Sequence, residues 1–156
     1  MAALKEGQLA PDFELPSNHG RQIRLAEFRG KQHVVLYFYP KDNTPGCTQE
    51  ACDFRDSFKR IRSHDVAVIG VSADSPESHE KFAQKYNLPF VLVSDVSKEM
   101  IRSYGAWKKK SFMGKSFMGI ERSTFIIDKK GEIRKIFSKV KVKGHVQTVL
   151  EILESL

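Results

Sequence analysis

Hydrophobic and polar positions along this chain switch between a period of two or less and a period near 3.6, and each switch marks an element. Val34-Val35-Leu36-Tyr37-Phe38-Tyr39 is an unbroken apolar, aromatic and β-branched run that predicts a buried strand, stopped by Pro40. Beyond it, Cys47, Ala51, Phe54, Phe58 and Ile61 follow 4-3-4-3 spacing, the stripe of a helix with one face on a core. Val66 to Val71 predicts a second buried strand. Ser75 as cap and Pro76 at the first helical position then open a helix to about Tyr86, broken by Asn87-Leu88-Pro89. Phe90–Val93 predicts a third strand, and Ser97 to about Tyr104 a short helix closed by Gly105.

At the amino end, Asp12–Leu15 and Gln22–Leu25 flank the turn signal Ser17-Asn18-His19-Gly20 and predict a hairpin. Residues 106–121 carry a near-repeat, Ser-Phe-Met-Gly-Lys-Ser-Phe-Met-Gly, and are expected to form a loop. Ser123–Asp128 and Glu132–Ser138 flank Lys129-Lys130-Gly131 and predict another hairpin; Gly144 to Leu156 predicts a closing helix with Val146, Val149, Leu150 and Leu153 on one face. Strands alternating with helices, then a hairpin and a last helix, point to an α/β fold with a mixed sheet covered on both faces.

Composition narrows the picture only a little. At 156 residues with 40% hydrophobic content the chain fits one domain over residues 1–156. No apolar run approaches the ~20 residues of a membrane span, and Met1 to Pro16 lacks the apolar block of a signal peptide, so no membrane partner and a cytoplasmic location are expected. The net charge of +7 raises nucleic acid or an acidic partner, yet no basic base-reading helix, zinc module or aromatic RNP-type strand accompanies it. A solvated basic face explains the charge. The five histidines show neither ligand spacing nor a catalytic pattern and read as surface or core filler.

Both cysteines lie in Pro40–Cys52 and lack metal-site spacing; they read as cytosolic thiols with redox potential. Thr44 is a good N-cap and Pro45 suits the first helical position, which places Cys47 at N3. There, backbone N–H groups and the positive end of the helix dipole favour an anion, and the thiolate is the nucleophile. A second reading competes: Cys47 sits on the apolar stripe, where a cysteine is a small hydrophobe. Cys52 lies off the stripe among Arg55, Asp56 and Lys59, so packing explains it poorly. In an intact helix the two Cα atoms would be roughly 8.6 Å apart and about 140° apart around the axis. A disulfide needs Cα atoms within about 7 Å, so joining these sulfurs requires the helix start to unwind.

Three ordered segments belong together: Gly7-x-x-Ala10-Pro11-Asp12-Phe13-x-Leu15, then Phe38 to Cys52 with its Pro40-x-x-x-Thr44-x-x-Cys47 signature, then Gly119-Ile120-x-Arg122-Ser123-Thr124-Phe125-x-Ile127-Asp128. They resemble the peroxiredoxins, thiol peroxidases on a thioredoxin-like fold, and within them the peroxiredoxin Q group, also called bacterioferritin comigratory protein. The resemblance implies that Cys47 is the peroxidatic cysteine and Cys52 the resolving one. It implies that the Thr44 hydroxyl bonds the thiolate and the bound peroxide, Pro40 shields the sulfur, and Arg122 stabilises the thiolate and the developing oxyanion. Glu50 matches a supporting carboxylate. Hydrogen peroxide and organic hydroperoxides are the implied substrates, thioredoxin or a similar dithiol the implied reductant, a monomer the implied state. No metal, haem or flavin cofactor is required. A thiol–disulfide oxidoreductase is an alternative, although that class normally uses Cys-x-x-Cys; a basic adaptor or nucleic-acid-binding module is another.

Overall fold

The computed structural model of the protein describes residues 3–156. Its elements in order are β1 (Glu14–Pro16), β2 (Gln22–Arg24), a 3-10 turn (Leu25–Phe28), β3 (His33–Phe38), α1 (Pro45–Arg62), β4 (Val66–Ser72), α2 (Pro76–Tyr86), β5 (Val91–Ser94), α3 (Glu99–Ser103), β6 (Trp107–Phe112), β7 (Lys115–Ile120), β8 (Ser123–Ile127), β9 (Ile133–Phe137) and α4 (His145–Glu154). The central sheet has five strands in the order β5-β4-β3-β8-β9. β3, β4 and β5 run parallel, while β8 pairs antiparallel with both β3 and β9. Parallel neighbours cannot be joined by a tight turn, and α1 and α2 are the crossovers that the β3–β4 and β4–β5 pairs require.

The continuous apolar run of β3 is explained by burial on both faces. Val34, Leu36 and Phe38 enter a core with Ile69, Val71, Phe125 and Ile127, closed by Phe13, Ile23 and Leu25 from the β1–β2 region and Met100 and Ile101 of α3. Val35, Tyr37 and Tyr39 point the other way, into a core with Phe54 and Ile61 of α1, Phe82 of α2, and Val149, Leu150 and Leu153 of α4. Tyr37 stacks on Phe54 with centroids 4.7 Å apart, fixing α1 to the middle of the sheet. The expected stripe of α1 faces this core: Cys47, Ala51, Phe54 and Ile61 are buried, and so is Glu50. On α2, Ser75 Oγ accepts from Ser78 N at 3.1 Å, and Asn87 ends the helix in the left-handed region.

Residues 106–121 are not a loop. They form the antiparallel pair β6–β7 around a two-residue turn, Met113-Gly114, with φ of 52° and 77°. Positive φ at both central positions is the hairpin geometry whose twist matches the strands, and Asn-Gly or Asp-Gly usually marks it. With Met in the first position that signal is missing. The strands also lack an apolar face, because Ser111 to Met118 are all exposed, so no period-two pattern announces them.

Gly70 of β4 stands between Tyr37 of β3 and Leu92 of β5 in the sheet register. A Cβ there would lie 2.8 Å from Leu92 Cδ2 and 3.0 Å from the Tyr37 ring. Gly70→Ala is expected to destabilise the fold by about 1–3 kcal/mol through overpacking, measured by urea denaturation.

Candidate active site

The site is assembled where β3 ends. Pro40 supplies no N–H to extend the ladder, and the chain turns through Lys41–Thr44 with Asn43 in the left-handed region (φ 62°). Thr44 is extended (φ −92°, ψ 156°) at the N-cap position, Pro45 begins the helix, and Cys47 occupies its first turn with a side chain that is 2% exposed. The Thr44 hydroxyl does not cap the helix; it donates to the Lys41 carbonyl at 2.9 Å. Pro40 and Thr44 are half-buried beside the helix start, and Cys52 is half-buried further along α1.

Arg122 arrives from 75 residues away, and the reason is strand register. Phe38 at the end of β3 pairs with Ser123 at the start of β8, so the residue just before β8 stands over the helix that follows β3. Its backbone carbonyl accepts from Val140 N at 2.9 Å, which fixes the main chain there. The guanidinium reaches Cys47 Sγ through Nη2 at 3.4 Å and Glu50 Oε1 through Nη1 at 2.6 Å. It passes so close to the helix that a Cβ on Gly46 would lie 3.1 Å from Nη2. Glycine at that position is what lets the cation lie against the first turn.

Burial and charge oppose each other here. Glu50 is fully buried with Oε2 unpartnered, and desolvation raises its pKa to about 7 against the pull of Arg122. Burial acts to lower the Arg122 pKa, but Glu50 and Cys47 outweigh it and leave it raised. Arg122 therefore stays a cation, held by one acid and one thiol. Burial, then the Arg122 charge, lowers the pKa of Lys110 on β6 while the charge of Cys47 opposes, which places Lys110 within the field of the centre. His145 is neutral: burial, then the charge of Arg122, lowers its pKa to about 4, and Nε2 lies 2.8 Å from Thr124 Oγ1.

A second polar cluster, which no spacing in the sequence reveals, anchors the segment ahead of the helix. Asp42 accepts from Tyr39 OH at 2.6 Å and from Ser78 Oγ at 2.8 Å, and lies 2.7 Å from His79 Nδ1. His79 Nε2 faces the Val93 carbonyl at 3.0 Å, an acceptor only, so Nε2 is the ring nitrogen that donates there. Asp74 Oδ2 accepts from Asp42 N at 2.8 Å and Ser72 Oγ at 2.6 Å. Ligand atoms of Asp42, Asp74 and His79 lie within 4.8 Å of one another, but these bonds already engage them. His79 is thus a core residue tying loop, α2 and β5 together. Truncating one partner would strand the other, so His79→Ala is expected to cost about 3–5 kcal/mol in a denaturation experiment.

A buried thiol at a helix start, a guanidinium on its sulfur, and a mixed sheet with helices on both faces define a thioredoxin-fold thiol redox protein. The AhpC/TSA family profile matches residues 7–136, and the chain belongs to that family, among its Bcp/PrxQ peroxiredoxins. Peroxiredoxin Bcp of Bacillus subtilis is 52% identical over 150 residues, covering 96% of this chain and 95% of that one. Peroxiredoxin Bcp of Escherichia coli K12 is 44% identical over 154 residues, 99% of this chain and 98% of that one. The crystal structure of a PrxQ cysteine-to-serine mutant from Xylella fastidiosa superposes with a TM-score of 0.93 at 33% identity, covering 99% and 98% of the two chains.

Glu50 generates a pH test. Its folded pKa lies above the ordinary value of 4.5, so the folded state holds this proton more tightly and the contribution is complete at low pH. The stability of wild type relative to Glu50→Gln is expected to fall as pH rises from 4.5 through about 7, read from urea midpoints across that range.

Proposed function

We propose that this protein is a thiol-specific peroxidase that reduces hydrogen peroxide and organic hydroperoxides through Cys47. The observation that carries the reading is the Arg122 bridge, 3.4 Å from the sulfur and 2.6 Å from a buried carboxylate. A guanidinium so held stabilises a thiolate before reaction and an alkoxide or hydroxide as it departs. The Cys47 thiolate attacks one peroxide oxygen; an S–O bond forms as the O–O bond breaks, sulfur is oxidised to sulfenic acid, and the leaving oxygen takes a proton to become water or an alcohol. The Thr44 hydroxyl, which donates to the Lys41 carbonyl in this structure, is the neutral donor for bound peroxide. Pro40 shields the sulfur, and Glu50 holds Arg122 in place.

Cys52 is the resolving residue of this cycle. Its thiolate attacks the sulfenic sulfur, an intramolecular S–S bond forms, and the oxygen leaves as water. With both cysteines on α1, helix geometry keeps their Cα atoms roughly 8.6 Å apart until the first turns unwind. A thioredoxin-type dithiol then reduces the disulfide. Unwinding competes with a second peroxide, which would take Cys47 to sulfinic acid. Residues 1–156 work as one thioredoxin-like domain, as a monomer, in a reducing compartment; no cofactor takes part. Among the described residues no helix is long and apolar enough to cross a membrane. A thiol–disulfide oxidoreductase would leave the Arg122–Glu50 pair without a task.

Intact mass and free-thiol counts after one equivalent of hydrogen peroxide test the cycle. Wild type is expected to lose both thiols, Cys52→Ser to gain one or more oxygen atoms on Cys47, and Cys47→Ser to remain unmodified. Full turnover of Cys52→Ser with thioredoxin would overturn the role of Cys52. Inert wild type would overturn the peroxidase reading itself.

A further inference from the structure

We infer that the β6–β7 hairpin is a lipid-contacting surface that seats this protein on anionic membranes. The first observation is where apolar side chains are spent. Seven large apolar side chains are exposed among the described residues, and four of them, Phe112, Met113, Phe117 and Met118, crowd onto this hairpin at 50–86% exposure. Scattered exposed apolar residues are ordinary, but four on one hairpin, with Phe112 and Phe117 on the same face as Lys108, Lys110 and Lys115, mark a contact surface.

The turn strengthens the case. Met113 holds φ 52° at the position where Asn or Asp usually stands, and its side chain is 86% exposed. The chain accepts an unfavourable turn residue that stays largely in solvent, and the result is an apolar tip.

Charge selects the occupant. Lys108, Lys109, Lys110 and Lys115 lie on the two strands, and Trp107–Ile120 contains no acidic residue. At the base, Lys98 Nζ and the Arg102 guanidinium lie over the Trp107 ring at 5.4 and 5.8 Å and continue the basic surface. Protein interfaces are poor in lysine at their centres. A bilayer interface instead takes both groups: aromatic and thioether side chains enter the headgroup–acyl boundary while lysine stems lie flat and their ammonium groups meet anionic headgroups. Each lysine near such a surface is worth about fivefold in affinity.

The hairpin ends at Ile120, two residues before Arg122, and the stem of Lys110 packs against Gly119, 3.2 Å from where a Cβ would lie. A hairpin lying along the bilayer, with its base as well as its tip in the interface, would bring the Cys47 centre to the lipid. If the peroxidase reading holds, hydroperoxides carried on oxidised acyl chains become its substrates there. Lipid binding itself does not depend on that reading.

The test is co-sedimentation of the full chain with phosphatidylglycerol-containing vesicles and with pure phosphatidylcholine vesicles. It uses wild type, Phe112→Ser/Met113→Ser and Lys108→Gln/Lys109→Gln. Binding is expected on anionic vesicles only, weaker by about tenfold or more in each variant and in 1 M salt, where the Debye length falls to about 3 Å. Unchanged thermal melting and unchanged hydrogen peroxide consumption in both variants would separate lost docking from misfolding or lost chemistry. Failure of wild type to bind anionic vesicles would overturn the proposal. So would binding insensitive to the tip residues, or hairpin-dependent self-association in size-exclusion chromatography without vesicle binding, which would assign the surface to a second copy.

Discussion

A single cation held between a buried carboxylate and a buried sulfur organises this molecule. Arg122 is the only group that touches both Glu50 and Cys47 in the described hydrogen-bond network, and removing it would leave a fully buried acid without a partner. Its placement depends on the β3–β8 register, which sets residue 122 over the helix start, and on Gly46, which leaves room for the guanidinium. A one-residue slip in that pairing would turn every side chain of β8 to the opposite face and carry Arg122 away. The central sheet and the chemistry therefore rest on the same hydrogen-bond ladder.

The proposed cycle places a conflict at the front of α1. The sulfur that meets peroxide is held in the core stripe with Ala51 and Phe54, whereas Cys52 stands off that stripe on the same helix. An ordered helix favours the first step and forbids the second. The Asp42–His79 cluster gives the conflict a boundary, since it ties the preceding loop to α2 and β5 through bonds of 2.6–3.0 Å. Under that cycle the first turns of α1 loosen between an anchored loop upstream and the Tyr37–Phe54 stack downstream.

Charge in this chain serves two different ends. Buried ionisable groups are held by hydrogen bonds: Glu50 by Arg122, Asp42 by Tyr39 and Ser78, and Asp95 by the Ile101 amide. The excess of lysine lies outside, where it costs little. On the β6–β7 hairpin those lysines stand among exposed phenylalanine and methionine, an arrangement that a solvated basic face alone does not account for.

The helices, the buried strands and the thiol at a helix start were legible in the amino-acid order because each is a local statement. Pro40, Thr44 and Pro45 fix a strand end and a helix start, and the 4-3-4-3 stripe fixes the face that Cys47 presents to the core. The β6–β7 hairpin was not legible, since its turn uses Met-Gly and its strands bury no face. Residue patterns alone gave no reason to bring Arg122 to Cys47; only the family resemblance suggested it, because strand register is decided between segments rather than within them. The same holds for His79, whose spacing is unremarkable until α2 packs beside the loop and makes it the partner of Asp42. Sequence by itself determined which elements form and which sulfur stands at a helix start. Tertiary structure decided which charges meet that sulfur, because only packing brings distant groups within hydrogen-bond reach and removes the water that would otherwise screen them.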